Sequence, residues 1–148
     1  MGLRDNFELE RHLYNDDVNA AIKYVKSLDS EEKLYIYAYN YNWDDGFEVP
    51  EAILNNEHCT MSVALLIFDL ADGMTYLQHK TDAPDLPEWS SFIRMLYNRV
   101  MEQGFKNGKA AFKPDLSKVQ IYKMKKMITE EEQVFISEIE GEDYNIAL

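Results

Sequence analysis

Val18, Ala21, Ile22, Val25 and Leu28 recur at spacings of three and four, the period of one helix face. Asn15, Asp16 and Asp17 stand just before them. Short polar side chains there cap free backbone N–H groups, and acids oppose the helix dipole. The pattern predicts a helix over 16–28, preceded by a shorter one over 3–14 that carries Leu3, Phe7 and Leu9 to Leu13. Asp29 and Ser30, with Glu31 and Glu32 behind them, start the next helix. Its apolar face is Leu34, Tyr37, Ala38 and Tyr41. Tyr35, Tyr37, Tyr39 and Tyr41 also alternate in the way of a strand, and the cap decides for a helix.

Residues 42–46 break the period. Pro50 suits the first position of a helix, which predicts a short one over 51–55 and a turn over 55–58. Thr60 caps a helix over 61–72 that is apolar on nearly every side, so it belongs at the centre of the fold. Gly73 is expected to close it as a left-handed cap. Residues 78–87, with Pro84 and Pro87, read as a loop. Pro87 and Glu88 then open the clearest helix, in which Trp89, Phe92, Ile93, Leu96, Tyr97, Val100 and Met101 share a face and which Gly104 ends.

After a loop over 106–114, Leu116, Val119, Tyr122 and Met127 are expected to line a last amphipathic helix. Thr129 with three following glutamates predicts one more short helix. Residues 134–139 have two readings, a strand or an ordered tail. The sum is a mostly α fold in a single domain over 1–148. Its polar loops and short and buried helices alternate in the manner of stacked helix pairs, as in an α-solenoid. Residues 127–148 form an acidic C-terminal segment.

Composition places this pattern among ordinary globular proteins, with 46% hydrophobic and 28% charged residues. The longest apolar run, 63–68, is far too short to span a bilayer. Residues 1–10 lack the apolar core of a signal peptide, and Cys59 is the single cysteine, so no internal disulfide forms. A cytoplasmic location is expected. The formal net charge of −12 argues against a nucleic-acid partner and for solubility or a basic partner. The charge is uneven: residues 1–75 carry −10, residues 106–126 carry +6 and residues 127–148 carry −7.

Chemistry is sparse. Glycine-rich phosphate loops, zinc-ligand spacings and a nucleophile elbow are all missing. His12, His58 and His79 are isolated, and Cys59 beside His58 reads as a packed residue at a turn. No catalytic residue, cofactor or metal site is assigned. A calcium reading of Asp44, Asp45 and Glu48 fails because acids at alternating positions with a distal glutamate are missing. The lysines at 118, 123, 125 and 126 read as a solvated helix face.

The densest feature is Tyr39-Asn40-Tyr41-Asn42-Trp43-Asp44-Asp45-Gly46-Phe47. One reading is a turn, in which glycine follows two acids at positive φ and the aromatics belong to the core. The other is a protein-binding surface. Tyr41, Trp43 and Phe47 supply rigid anchors there, and Asp44, Asp45 and Glu48 supply charge.

With residues 41–50, then 52–55, 64–68 and Ala71-Asp72-Gly73, the chain resembles a bacterial family of small domains of unknown function. The resemblance covers roughly residues 30–77. It implies a stand-alone cytoplasmic protein with no assigned reaction, and a role beside toxin systems as an immunity protein. The functional expectation is therefore a protein-binding module, not an enzyme, that occludes a basic toxin domain and has neither nucleic-acid nor membrane partners. Two alternatives stay open. One is a small-molecule-binding domain or enzyme with a pocket beside Trp43, and the other is a structural helical dimer.

Overall fold

The computed structural model describes residues 3–13 and 17–146, with side chains from residue 8 onward. Among the described residues eight α-helices form: α1 (Leu3–Leu13), α2 (Val18–Ser27), α3 (Glu31–Asn40), α4 (Glu48–Asn55), α5 (Met61–Leu70), α6 (Gly73–His79), α7 (Pro87–Met101) and α8 (Lys118–Lys125). Two 3-10 turns, Trp43–Asp45 and Glu131–Ile136, complete them. Strand-like pairing among these residues is confined to isolated bridges. No helix among them is long and apolar enough to cross a membrane.

The predicted starts are real caps. The Asp17 carboxylate accepts from the N–H groups of Asn19 and Ala20, and the Ser30 hydroxyl from that of Lys33. The capping expected of Asn15 and Asp16, and the face expected of Leu3 and Phe7, lie outside the described residues and side chains. In α3 the buried set is Leu34, Ile36, Tyr37 and Ala38, so helical period governs over the strand-like alternation, and Tyr39 is left exposed.

Each of the main helix contacts joins a helix to the next or to the next but one: α1 with α2 and α3, α2 with α4, α3 with α4 and α5, α5 with α6 and α7. That is the stacking of helix pairs expected from the sequence. α5 sits in the middle, where residues 62–68 are all buried. Such an all-round apolar helix gains stability only by being enclosed.

Several boundaries differ from expectation. α4 starts at Glu48, so Pro50 is its third residue, where the N–H that proline lacks would still have no helical partner. α5 ends at Leu70, and Asp72, not Gly73, takes the left-handed conformation (φ 62°). Gly73 instead opens α6, a helix that the sequence pattern did not announce. A Cβ on it would stand 2.3 Å from the Phe68 ring, so glycine is required there by close packing. After α7, Gln103 supplies the left-handed residue (φ 58°), and the Gly104 N–H reaches back to the Arg99 carbonyl at 2.8 Å.

From Phe105 the chain returns along the core as extended backbone. Glu31 anchors it. Its carboxylate accepts from the N–H groups of Lys109 and Ala110 (2.9 Å each) and from the hydroxyls of Thr60 (2.5 Å) and Tyr144 (3.2 Å). Phe112 and Ile139 exchange backbone hydrogen bonds. Neither reading of residues 134–139 survives whole, because 134–136 lie in the second 3-10 turn and Ile139 forms a bridge. Just before that turn Thr129 and Glu132 bond reciprocally: Thr129 Oγ1 accepts from the Glu132 N–H, and the Thr129 N–H donates to the Glu132 carboxylate.

Glu132 is itself buried, with Lys80 Nζ 2.5 Å from one oxygen and the Tyr97 hydroxyl 2.6 Å from the other. Burial alone would raise its pKa. Hydrogen bonds from Lys80, the Thr129 N–H and Tyr97 outweigh burial and hold the carboxyl below its ordinary value.

α8 is the clearest departure. Val119, Tyr122 and Met127 were expected on its buried face and are instead exposed, while Met124 is the residue that packs inward. Leu116 and Met127 lie outside the helix, which contributes only Met124 as a fully buried side chain.

Candidate functional site

The connection between α3 and α4 starts at Tyr41, where α3 ends. The Asn42 side chain accepts from the Asp44 N–H at 3.1 Å and opens the 3-10 turn. Gly46 closes it at φ 95°, a conformation that L side chains rarely adopt. The Tyr41 hydroxyl donates to the Gly46 carbonyl at 2.9 Å and locks the turn. Asp-Asp-Gly is therefore a built turn, as one of the two readings required.

The aromatic residues converge. Tyr41 and Trp43 meet edge to face at 5.4 Å, Trp43 lies 6.2 Å from both Phe47 and Phe92, and Phe47 stacks on Phe92 of α7 at 4.9 Å. Tyr41 and Phe92 are buried, and Trp43 and Phe47 are half-buried. Burial chiefly, with Asp45 and Glu48 nearby, pushes the Tyr41 phenol up to about 12. The Trp43 indole N–H is buried without a hydrogen-bond partner. Trp89 contrasts with it, its indole N–H donating to the Ala71 carbonyl at 2.7 Å.

Phe47 stands between two open clefts. One, of about 600 Å³, runs between the start of α4 and the start of α7. Its floor is Phe47, Phe92 and Met95, and its rim is Glu48, Glu51 and Glu88. The other, of about 320 Å³, is apolar and lies beside Trp43, with Leu70, Leu86 and Trp89 along it. Glu48, Glu51 and Glu88 are exposed, and among the described residues none of them is in an ion pair.

The predicted carboxylates do not converge. Glu48 faces the large cleft, while Asp45 lines a separate small one with His12, Tyr37 and Val49. Asp44 is exposed on the turn. Sequence reasoning missed Glu51, Glu88, Phe92 and Trp89 as parts of this face. Glu88 was read only as a helix-start residue and Phe92 only as core. The fold brings α7 beside the turn across more than forty residues of sequence, and no local pattern signals that.

The other candidate chemistry falls away on geometry. Cys59 is buried, and burial pushes its thiol up to about 12, which disfavours the nucleophilic thiolate at neutral pH. His58 is half-buried, 3.4 Å from Glu57. His79 is exposed at the end of α6. His12 stacks on Tyr24 at 3.9 Å, and burial lowers its pKa. No group of three or more His, Cys, Asp or Glu side chains among the described residues is placed to hold a metal ion.

No curated protein and no solved structure matches the chain. The turn, the aromatic cluster and both clefts are built almost wholly from α3 to α7, and within this part of the chain residues 29–101 match the model of a domain of unknown function, DUF4274.

Proposed function

We propose that the chain is a protein-binding module, and that its role is that of an immunity protein covering a basic bacterial toxin domain with this acidic face. The observation that carries the reading is the pairing of rigid aromatic side chains with uncompensated carboxylates on one open surface. Phe47 and Phe92 floor the large cleft, and Glu48, Glu51 and Glu88 rim it. Aromatic anchors bounded by charge are the usual make-up of binding hot spots. Carboxylates facing a basic partner speed encounter more than they add affinity. Asp44 and Asp45 stand exposed on the neighbouring turn beside Trp43 and add negative charge outside the cleft.

The test is capture by the tagged chain in its native host, wild type against the variant Asp44→Asn/Asp45→Asn/Glu48→Gln. All three side chains are exposed, so the variant keeps the fold. A basic protein held in stoichiometric amount by the wild type and lost by the variant supports the reading. A partner held equally by both places the contact elsewhere.

The apolar cleft beside Trp43 favours a second reading, a small-molecule site. Its volume of about 320 Å³ is at the lower end of ligand pockets, but it is open rather than enclosing. A metabolite that raises the melting temperature of the wild type and not of Trp43→Ala would support that reading instead.

A further inference from the structure

α8 exposes Val119 (62%) and Tyr122 (61%), and the turn that follows it exposes Met127 (53%). Apolar side chains grouped in this way on a helix mark an interaction surface. Lys118, Lys123, Lys125 and Lys126 surround them, with no acidic residue over 118–126. Lys126 Nζ sits 4.3 Å over the Tyr122 ring, so cation and aromatic form one unit. The segment lies outside residues 29–101, and it presents the reverse of what the large cleft presents. The cleft has an apolar floor of Phe47, Phe92 and Met95 under a rim of three glutamates. The exposed face of α8 interleaves Val119 and Tyr122 with Lys123 and Lys126. Among the described residues, none covers either surface.

We propose that a second copy of this chain seats its α8 ridge in the acid-rimmed cleft, Tyr122 against the Phe47–Phe92 floor and the lysines against Glu48, Glu51 and Glu88. The contact joins two different surfaces, so it is head-to-tail and leaves one free ridge and one free cleft at the ends. It is weak, because two bodies of net charge −12 repel until salt screens them beyond about 8 Å, while ion pairs in direct contact persist. A bilayer or nucleic acid is a poorer fit. Its extended negative surface would face the remaining acidic body as well as α8. The inference goes beyond the immunity reading and does not need a toxin. Because the cleft is shared, a partner bound there displaces the second copy.

The test is sedimentation velocity of the full chain at about 0.15 M salt over rising concentration. Mass should grow to that of two copies and more. Two variants, Tyr122→Ser/Lys123→Gln/Lys126→Gln and Glu48→Gln/Glu51→Gln/Glu88→Gln, should each weaken association by about tenfold or more. All six side chains are exposed, and unchanged thermal melting confirms the folds. Mixed together, the two variants retain one intact cleft and one intact ridge. They should form a complex of one copy of each and nothing larger. A chain that stays monomeric at every concentration overturns the proposal. So does association that the cleft variant leaves unchanged, since α8 would then meet itself or another acidic surface, and so does a mixture without the one-to-one complex. A monomeric result leaves the capture experiment standing on its own.

Discussion

Glu132 ties the C-terminal segment to Lys80, just after α6, and to Tyr97 of α7, and it also accepts from the Thr129 N–H of its own segment. A buried carboxylate with three donors is stabilising only as a complete set, because each donor left behind loses its partner. Glu132→Ala should therefore cost about 3 kcal/mol in urea unfolding, moderated by the access of Lys80 to water. The pH dependence has a definite sign. The folded carboxyl lies below its ordinary value of 4.5, so its contribution is present above pH 4.5 and is lost as pH falls through the folded pKa. Glu132→Gln should flatten that part of the stability–pH curve. Gly73 gives a second case. Its Cβ would meet the Phe68 ring, and Gly73→Ala should destabilise by about 1–3 kcal/mol. Cys59, buried and with its pKa raised, should resist alkylation at neutral pH in the folded chain and react fully once unfolded.

At the scale of elements, the helices with a clear start signal were legible: α2, α3 and α5 from side-chain caps at Asp17, Ser30 and Thr60, and α7 from Pro87 at its first position and its apolar spacing. α6 was not, because Gly73 looks like a terminator in sequence and is a packing residue in space. α8 was legible as a helix but not in orientation. Val119, Tyr122 and Met127 are interleaved with Lys123 and Lys126 on the exposed face, and it is Met124 on the opposite side that packs inward. The same limit applies to the site. The Asp-Asp-Gly turn and its aromatic residues were visible locally, whereas Glu51, Glu88 and Phe92 joined them only through the packing of α7. A stability test separates the two kinds of apolar residue. Tyr122→Ser should change stability by no more than about 0.5 kcal/mol, while Phe68→Ala in buried α5 should cost about 3–5 kcal/mol.

At the scale of the whole molecule, α1 to α7 supply the stacked helices, residues 29–101 among them the aromatic face, and residues 105–146 return across them as a strap. Glu31 receives four hydrogen bonds, three of them from the strap. Glu31→Ala should speed hydrogen exchange at the Lys109 and Ala110 amides well ahead of α5. Charge divides more finely, with an acidic face on the helices, lysines over 106–126 of the strap and acids again from Glu130 onward. The central claim is that the face around Phe47 exists to hold a basic protein. The most direct measurement is the paired capture in the native host, wild type beside Asp44→Asn/Asp45→Asn/Glu48→Gln. The account predicts one basic protein in stoichiometric amount with the wild type and its loss from the variant. Equal capture by both, or no stoichiometric protein with the wild type, would contradict it.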